Sequence, residues 1–181
     1  MENIFGELWG IVGEIHYLCP RITKKRKGMR FLGNIEAKTD QKGRVFLPSV
    51  FRKELQASGE ERLIVRKDVH QKCLVLYPES AWDRRMEALF ERADEFDEGE
   101  REAVRMFMSE VALLTLDGNG RLLIPKEFLE EAEIDASVRF IGMKDTIEIW
   151  ASANVAKPKL SQEEFAAKLK AIMGRTAVQD K

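Results

Sequence analysis

Two arginines in this sequence stand in the same local pattern, four residues after an aspartate and directly after a glycine. The first copy, TDQKGRVFLPSV, contains Asp40, Gly43 and Arg44, and the second copy, LDGNGRLLIPKE, starts at Leu116. An aspartate carboxylate can accept backbone N–H groups that shape a turn, and it can hold a guanidinium in one orientation. A fixed guanidinium can bind a phosphate or a guanine edge through two hydrogen bonds. The pattern therefore indicates a turn that presents an arginine for recognition.

The two copies align without a gap, which means that one structural unit occurs twice in the chain. An offset of 77 residues pairs Asp40 with Asp117, Gly43 with Gly120, Arg44 with Arg121, Pro48 with Pro125 and Phe51 with Phe128. Either Asp–Arg pair alone could serve only to stabilise its turn, and that alternative stays open. Two equivalent loops related by pseudo-twofold symmetry favour a shared recognition edge, because symmetric DNA readers are built in this way.

The first loop is the stronger candidate for binding DNA. Lys38 and Lys42 lie beside Arg44 in the sequence, whereas the second loop has only Arg121 together with Asn119. Basic residues that neutralise phosphates supply much of the affinity of a protein for DNA. The residues predicted to shape the turns are Asp40, Gly43, Asp117 and Gly120. Glycine suits these turns because it adopts a positive φ without steric cost.

Each copy predicts the same order of elements: strand, turn, strand, helix and hairpin. For the first copy the predicted ranges are strands 34–38 and 44–47, a helix 50–55 opened by Pro48 and Ser49, and hairpin strands 63–66 and 73–76. For the second copy they are strand 122–124, helix 126–132, and hairpin strands 138–142 and 146–150. The proline ends the strand before each helix, and a serine is a favourable N-cap.

Helical sequence connects and follows the two copies. Apolar residues recur at helical spacing from Trp82 to Phe90, and a second helix is predicted over 100–113. A third helix, 162–173, starts with the capping-box residues Ser161 and Glu164. Its narrow apolar stripe consists of Phe165, Leu169 and Met173. The helix either packs at the periphery of its own domain or docks on a neighbouring chain.

Composition is typical of a globular protein and gives no sign of catalysis. The 181 residues are 44% apolar, which is enough for a core. The sequence has no long apolar run of membrane-spanning length, and acidic residues precede the first basic residue, so we expect a cytoplasmic protein that does not bind a membrane. Cys19 and Cys73 lack metal-ligand spacing, and His16 and His70 have no nearby nucleophile. The sequence therefore predicts no metal, no cofactor, no catalytic residue and no enzyme activity.

The formal net charge of −1 hides an uneven distribution. Residues 29–82 carry a net charge of +3, and residues 83–115 carry −5. A chain with this low overall basicity does not coat DNA nonspecifically. Any contact with nucleic acid is expected to involve one face of the protein, repeated by oligomerisation.

The motif Asp-x-x-Gly-Arg, followed by three apolar residues, a proline and a short helix, resembles the swapped-hairpin motif of the AbrB and SpoVT DNA-binding proteins. Two such copies, separated by a helical segment with LYPESAW (76–82) and REAVRMFMSEVA (101–112), resemble the MraZ family of transcriptional regulators over about 29–150. The duplicated motif together with its spacing makes this resemblance specific.

The resemblance implies both a fold and a function. The implied fold is α+β and mainly β, a double swapped-hairpin barrel with a helical linker and a C-terminal helix. The implied function is that of a cytoplasmic, nucleoid-associated ring homo-oligomer, which binds TGGG direct repeats in double-stranded DNA, including its own promoter, and represses the division and cell-wall gene cluster. Arg44 and Arg121 would lie at the DNA-facing loops. A ring-forming protein-interaction scaffold, or an antitoxin-like module without specific DNA binding, remains the alternative.

The chain is expected to divide into five segments. They are an extension at 1–28, a first repeat at 29–82, a helical linker at 83–115, a second repeat at 116–155, and a C-terminal helix and tail at 156–181. Family chains usually begin near the position of Met29. Residues 1–28 are therefore either a disordered arm, whose basic RITKKRK segment adds phosphate contacts, or leader DNA read as protein.

Reverse translation favours the leader interpretation. Trp9-Gly10 forces the bases TGGG at nucleotides 25–28. Val12-Gly13 allows TGGG at 35–38, and Phe5-Gly6 allows it at 15–18, which gives a spacing of ten nucleotides. Ten base pairs are about one turn of B-DNA, so the boxes would face successive subunits of a ring. We therefore expect that 1–28 is encoded by the operator of this gene and that Met29 is the true start.

Overall fold

Eight strands and six helices form the part of the chain described by this computed structural model, residues 30–155 and 160–175. In chain order they are β1 (Asn34–Lys38), β2 (Arg44–Phe46), α1 (Ser49–Ser58), β3 (Arg62–Lys67), β4 (Cys73–Pro78), α2 (Glu79–Phe90), α3 (Glu98–Ser109), β5 (Val111–Thr115), β6 (Arg121–Leu123), α4 (Lys126–Glu131), β7 (Ser137–Gly142), β8 (Ile147–Ala151), α5 (Ser152–Val155) and α6 (Gln162–Met173). The predicted α+β class is confirmed. Among the helices of these residues, none is long and apolar enough to cross a membrane. The expectations for 1–28 lie outside the described residues.

The two repeats exchange strands. β1 pairs with β7 of the second repeat, β5 pairs with β3 of the first repeat, and β2 pairs with β6, all antiparallel. One sheet has the order β1-β7-β8-β4-β3-β5, and β2 and β6 form a separate two-stranded ribbon. The closed barrel is not confirmed. Among the described residues, the six-stranded sheet ends in two edge strands, β1 and β5, which do not pair with each other.

One face of the six-stranded sheet carries the main core. Side chains alternate between the two faces of a strand, so Leu63 and Val65 on β3 point into this core together with inward residues of β4, β7 and β8. The ribbon is tied to the same core by Val45 and Leu122, which are both fully buried. Burial of each such side chain contributes about 1.5–3 kcal/mol. The main core therefore fixes the inward side of the ribbon.

Helices α2 and α3 cover part of the opposite sheet face. Trp82 of α2 stacks on Phe107 of α3 with ring centroids 5.9 Å apart, and Tyr77 of β4 meets Trp82 edge-on at 5.4 Å. The guanidinium of Arg66, which is buried on β3, lies 4.0 Å from the Phe107 ring centroid. This second cluster fixes the base of the α2–α3 hairpin on the sheet.

The predicted helix over 100–113 is wrong beyond Ser109. Residues Val111–Thr115 form β5, which pairs with β3 and places Leu114 in the main core. Strand pairing with a distant segment outweighs the local helical pattern here. The segment expected as a helical linker, 83–115, therefore ends in a strand of the sheet.

Helix α1 is longer than predicted and begins differently. It spans Ser49–Ser58, its N-cap is Pro48, and no side chain caps it, so the expected Ser49 cap is wrong. Proline fixes φ near the value that a helix start requires. Gly59 ends the helix with a φ of 72°.

The capping box predicted for α6 is confirmed, since Ser161 and Glu164 bond each other reciprocally.

Candidate nucleic-acid interface

One aspartate shapes the first turn and holds its arginine. Asp40 Oδ1 accepts hydrogen bonds from the backbone N–H groups of Lys42 and Arg44, each at 2.9 Å. Asp40 Oδ2 accepts a hydrogen bond from Arg44 Nε at 2.6 Å and lies 2.6 Å from Arg44 Nη2. Gly43 N donates to the carbonyl of Asp40 at 2.9 Å, which closes the turn. A single carboxylate therefore fixes both the backbone and the guanidinium.

The second turn has the same geometry. Asp117 Oδ1 accepts from the N–H groups of Asn119 and Arg121, each at 2.9 Å. Asp117 Oδ2 accepts from Arg121 Nε at 2.7 Å, and Gly120 N donates to the carbonyl of Asp117 at 2.8 Å. The predicted turn-shaping roles of Asp40 and Asp117 thus have direct structural support, whereas the role of the arginines in DNA binding stays a prediction.

The turn glycines lock each loop to the other repeat. Gly43 and Gly120 both have a φ of 79°. The Gly43 carbonyl accepts from Ile124 N at 3.1 Å, and the Gly120 carbonyl accepts from Leu47 N at 3.2 Å. A Cβ at Gly43 would lie 2.8 Å from the Ile124 carbonyl oxygen. Both the positive φ and this close backbone approach require glycine at position 43.

Both arginines project from one face of the β2–β6 ribbon. The register places Arg44 opposite Leu123, Val45 opposite Leu122, and Phe46 opposite Arg121. Neighbouring residues of a strand point to opposite faces, and the central pair, Val45 and Leu122, points into the core. The outward face, which we call the ribbon face, consists of Arg44, Phe46, Arg121 and Leu123. The structure therefore brings the two predicted arginines onto one surface.

The ribbon face combines charge with exposed apolar surface. Phe46 is 54% exposed and Leu123 is 57% exposed. The Arg121 guanidinium lies 5.8 Å from the Phe46 ring centroid. The side chains of Arg44 and Arg121 are 35% and 24% exposed in their aspartate pairs. The sequence interpretation missed Phe46 and Leu123, although the alternation in RVF and RLL could have shown that they share a face with the arginines.

The turns keep both aspartates ionised. The backbone N–H of Arg44 is the main cause that lowers the pKa of Asp40 below its usual range, and the Arg44 side chain and the Lys42 N–H add to it. The Arg121 N–H is likewise the main cause that lowers the pKa of Asp117. Charge-assisted hydrogen bonds favour the ionised form of a carboxylate. Each guanidinium therefore stays paired and oriented at neutral pH.

The other predicted DNA-binding residues have different positions. Lys42 and Asn119 are exposed at the tips of the two turns. Lys38 lies at the end of β1 in the six-stranded sheet, opposite Ser137. The hydrogen bond from Ser137 is the main cause that lowers the pKa of Glu36, and the charges of Arg139 and, least of all, Lys38 add to it. Lys38 is therefore beside the first turn but outside the ribbon, near an acidic side chain.

Arg52 of α1 adds a positive charge to the second loop, which the sequence interpretation had credited with Arg121 alone. Arg52 Nη1 donates to the Asn119 carbonyl at 3.5 Å, and a Cβ at Gly120 would lie 2.2 Å from Arg52 Nη1. The residue equivalent to Arg52 in the second repeat is Leu129, whose Cδ1 would lie 3.1 Å from a Cβ at Gly43. No local pattern could have found Arg52, because it comes from the other repeat.

Within residues 30–155 and 160–175, no group of three or more histidine, cysteine, aspartate or glutamate side chains could hold a metal ion. Cys73 is buried, and desolvation raises the pKa of its thiol to about 12. This thiol stays protonated and unreactive at neutral pH.

Comparison with known proteins gives consistent matches. The family model described as "MraZ protein, putative antitoxin-like" matches residues 30–106 and again 106–175. A protein named transcriptional regulator MraZ from Phocaeicola vulgatus is 54% identical over 81% of this chain and 95% of its own length. A protein of the same name from Bacteroides thetaiotaomicron is 49% identical over 84% of this chain and 97% of its own length. Another, from Flavobacterium psychrophilum, is 33% identical over 66% of this chain and 75% of its own length.

The fold and the paired turns define a duplicated α+β protein whose relatives are named as transcriptional regulators. The chain belongs to the MraZ family.

Proposed function

We propose that this protein is a sequence-specific DNA-binding transcriptional regulator and that the ribbon face is its DNA-reading surface. The observation that carries the proposal is the position of Arg44 and Arg121 on one outward face, each oriented by its own aspartate. The major groove admits a two-stranded ribbon, and arginine there binds guanine O6 and N7 with two hydrogen bonds. The names of the relatives support a role in transcription.

The spacing of the two arginines fits nearby base pairs. Residues placed diagonally across an antiparallel strand pair have Cα atoms about 7–8 Å apart, and B-DNA rises about 3.4 Å per base pair. A ribbon that lies along the groove would place Arg44 and Arg121 about two base-pair steps apart. This separation suits a run of guanines, such as the TGGG direct repeats that the family resemblance implies.

The regulatory role follows from that target. We infer that the protein acts in the cytoplasm, in association with the nucleoid, as a repressor of the division and cell-wall gene cluster and of its own promoter. The exposed lysines add phosphate contacts, with Lys42 at the tip of the first turn and Lys38 at the end of β1. The codons of Trp9-Gly10 require the bases TGGG in the DNA. This sequence supports the inference that the DNA encoding residues 1–28 is the operator.

Self-association completes the proposal. One ribbon face neutralises few phosphates, so a ring of identical chains that engages boxes one helical turn apart would supply the affinity by avidity. We also infer that the hairpins around the two turns complete a swapped-hairpin barrel. The Thr39–Val45 bridge, which links the end of β1 to β2, supports that closure.

A fluorescence-anisotropy titration tests DNA recognition. The full chain is titrated against a duplex with three TGGG boxes ten base pairs apart, the spacing that the codons of residues 5–13 allow, and against a duplex with scrambled boxes. Arg44→Ala is compared with Arg62→Ala, a matched control that also removes one exposed ion pair, Arg62–Glu79 at 2.6 Å, but on β3. We expect tight binding to the TGGG duplex only, lost in Arg44→Ala and kept in Arg62→Ala.

Equal weak binding to both duplexes would overturn specific DNA recognition. It would favour the protein-interaction scaffold, whose surface would then include the exposed Phe46 and Leu123. Loss of binding in Arg44→Ala accompanied by unfolding, seen by circular dichroism, would instead mean that the Asp40–Arg44 pair only stabilises its turn.

A further inference from the structure

Helix α6 presents an apolar face that its own chain leaves uncovered. None of its residues is buried, and the large apolar side chains Phe165, Leu169, Ile172 and Met173 are 56%, 44%, 61% and 79% exposed. Positions three, four, seven and eight apart lie on one face of a helix, so these four residues form a stripe, which we call the α6 stripe. A helix of this length is marginally stable in water, and packing of its apolar face normally supplies the missing stability.

A groove of matching character lies at the tip of the α2–α3 hairpin. Its apolar lining consists of Phe90, Ala93, Phe96 and Val104, and its volume is about 680 Å³. We call it the hairpin groove. Phe96 is 88% exposed and Phe90 is 56% exposed. Clusters of exposed apolar residues of this kind mark interaction sites.

The hairpin loop is held in place rather than extended into solvent. Asp94 Oδ1 accepts from Phe96 N at 2.9 Å, and Asp97 caps α3 by accepting from Glu100 N at 2.8 Å. Glu100 reaches back to bond Asp94 N at 2.6 Å. These hydrogen bonds hold the loop in a conformation that exposes Phe96. The exposure of Phe96 therefore follows from the hydrogen-bonded structure of the loop.

We propose that the α6 stripe of one chain docks in the hairpin groove of a second copy of this chain. Both surfaces stay uncovered within the single chain. A contact between two different surfaces of identical chains repeats from copy to copy, and it closes into a ring when the rotation allows. This interface rests on the proposed self-association, and its test does not require DNA.

Charge favours the same pair of surfaces. Along the groove, Asp94 and Glu95 lie near the tip, followed by Arg101 and Arg105 on α3. Helix α6 has acidic residues in its first turn and Lys170 in its last turn. An α6 that runs antiparallel to α3 therefore sets acidic residues against the arginines and its lysines against the acidic tip.

The interface is tested by measuring the mass of the protein in solution for two variants, each with one aspartate introduced on a different face of α6. Leu169→Asp places the charge in the α6 stripe, whereas Ala171→Asp places the same charge on the opposite side of the helix. Light scattering after size-exclusion chromatography is expected to give a lower mass for Leu169→Asp and the parental mass for Ala171→Asp. Circular dichroism should show the same folded core for both variants, because α6 buries no residue in its own chain. A small loss of helix in Leu169→Asp alone is expected, because an undocked α6 is marginally stable in water.

Cysteine cross-linking identifies the docking partner. In a Cys19→Ser background, one copy carries Ala93→Cys in the groove and a second, tagged copy carries Ala166→Cys beside the stripe, with Ala171→Cys as the control. Cys73 is buried and does not interfere. A disulfide-linked pair that forms with Ala166→Cys and is absent with Ala171→Cys supports docking between copies. A double variant that cross-links only within one chain would overturn it, since α6 would then cover its own groove.

The failures of the two proposals can be separated. If the parental chain is a monomer at all concentrations, both the ring and this interface are wrong. If it is an oligomer whose mass does not change in Leu169→Asp, the interface alone is wrong and the ring uses other surfaces. Retained TGGG binding by an Ala171→Asp oligomer shows in the same preparation that the ribbon face still works.

Discussion

The first and second turns share one backbone design but differ in the side chains around it. In both turns one aspartate oxygen accepts two N–H groups at 2.9 Å and the other holds an arginine Nε. The tips differ, since Lys42 in the first turn corresponds to Asn119 in the second. The glycine neighbours differ as well, because Leu129 contacts Gly43 and Arg52 contacts Gly120. The repeats have thus kept the part that orients the arginine and changed the part that sets the charge.

This difference gives the two loops different expected roles. The first loop supplies its own charge through Lys42, whereas the second loop receives charge from Arg52 of the other repeat. Arg44 is also more exposed than Arg121, which lies over the Phe46 ring. We therefore expect unequal contributions to DNA affinity from two loops with nearly equal geometry.

The largest expected effect is on DNA affinity. Arg44→Ala and Arg121→Ala should each weaken binding to the TGGG duplex by at least about fivefold, because a bidentate arginine–guanine contact contributes about 1–3 kcal/mol of discrimination. The loss should be greater for Arg44→Ala, because Arg44 is more accessible. Anisotropy titration measures the difference, with Arg62→Ala as the control. A larger loss in Arg121→Ala would reverse the assigned order of the loops.

The next effect concerns stability. Ala at position 43 places a Cβ 2.8 Å from a backbone oxygen, whereas Ala at position 120 meets the flexible side chain of Arg52. Both substitutions impose a positive φ on a residue with a Cβ, which costs about 1–3 kcal/mol. Gly43→Ala should lower the free energy of unfolding more than Gly120→Ala, because a backbone cannot move aside as a side chain can. Urea denaturation measures both values, and equal losses would show that φ alone determines the cost.

An exchange of the tip residues should change the salt dependence of binding. Lys42→Asn is expected to remove one phosphate contact from the first loop, and Asn119→Lys is expected to add one to the second loop. The slope of log affinity against log salt concentration is expected to change by about 0.9 for each phosphate contact, in opposite directions for the two variants. Titrations at several salt concentrations give the slopes. An unchanged slope in Lys42→Asn would place Lys42 away from the DNA.

The smallest expected effect is an acid dependence of the turns. Asp40 and Asp117 have a lowered pKa in the folded chain, mainly because of the N–H groups of Arg44 and Arg121. A lowered carboxylate pKa stabilises the fold above the unfolded value, about 3.9, and this stabilisation is lost as the pH falls through the folded pKa. The melting temperature should not depend on these groups between about pH 5 and 8. Below about pH 5 the melting temperature should decrease. Asp40→Asn should remove part of the acid dependence, and an unchanged pH profile in that variant would contradict the assignment.

Local features of the site could be predicted from the sequence. The Asp–Arg spacing, the turn glycines and the capping box of α6 each depend on residues within five positions of one another, and all three are present in the structure. The strand β5 could not be predicted, because Val111 and its neighbours continue a helical pattern. Their conformation depends on pairing with β3, nearly fifty residues earlier in the chain.

The sequence by itself determined that one unit occurs twice, that each copy turns at a glycine, and that each turn holds an arginine beside an aspartate. Only the tertiary structure decided that β2 pairs with β6, which places Arg44 and Arg121 on one face with Phe46 and Leu123. It also decided that Arg52 lies against the opposite repeat. The physical reason is range: a turn is stabilised by hydrogen bonds within a few residues, whereas strand pairing across 77 residues depends on the core that both repeats bury together.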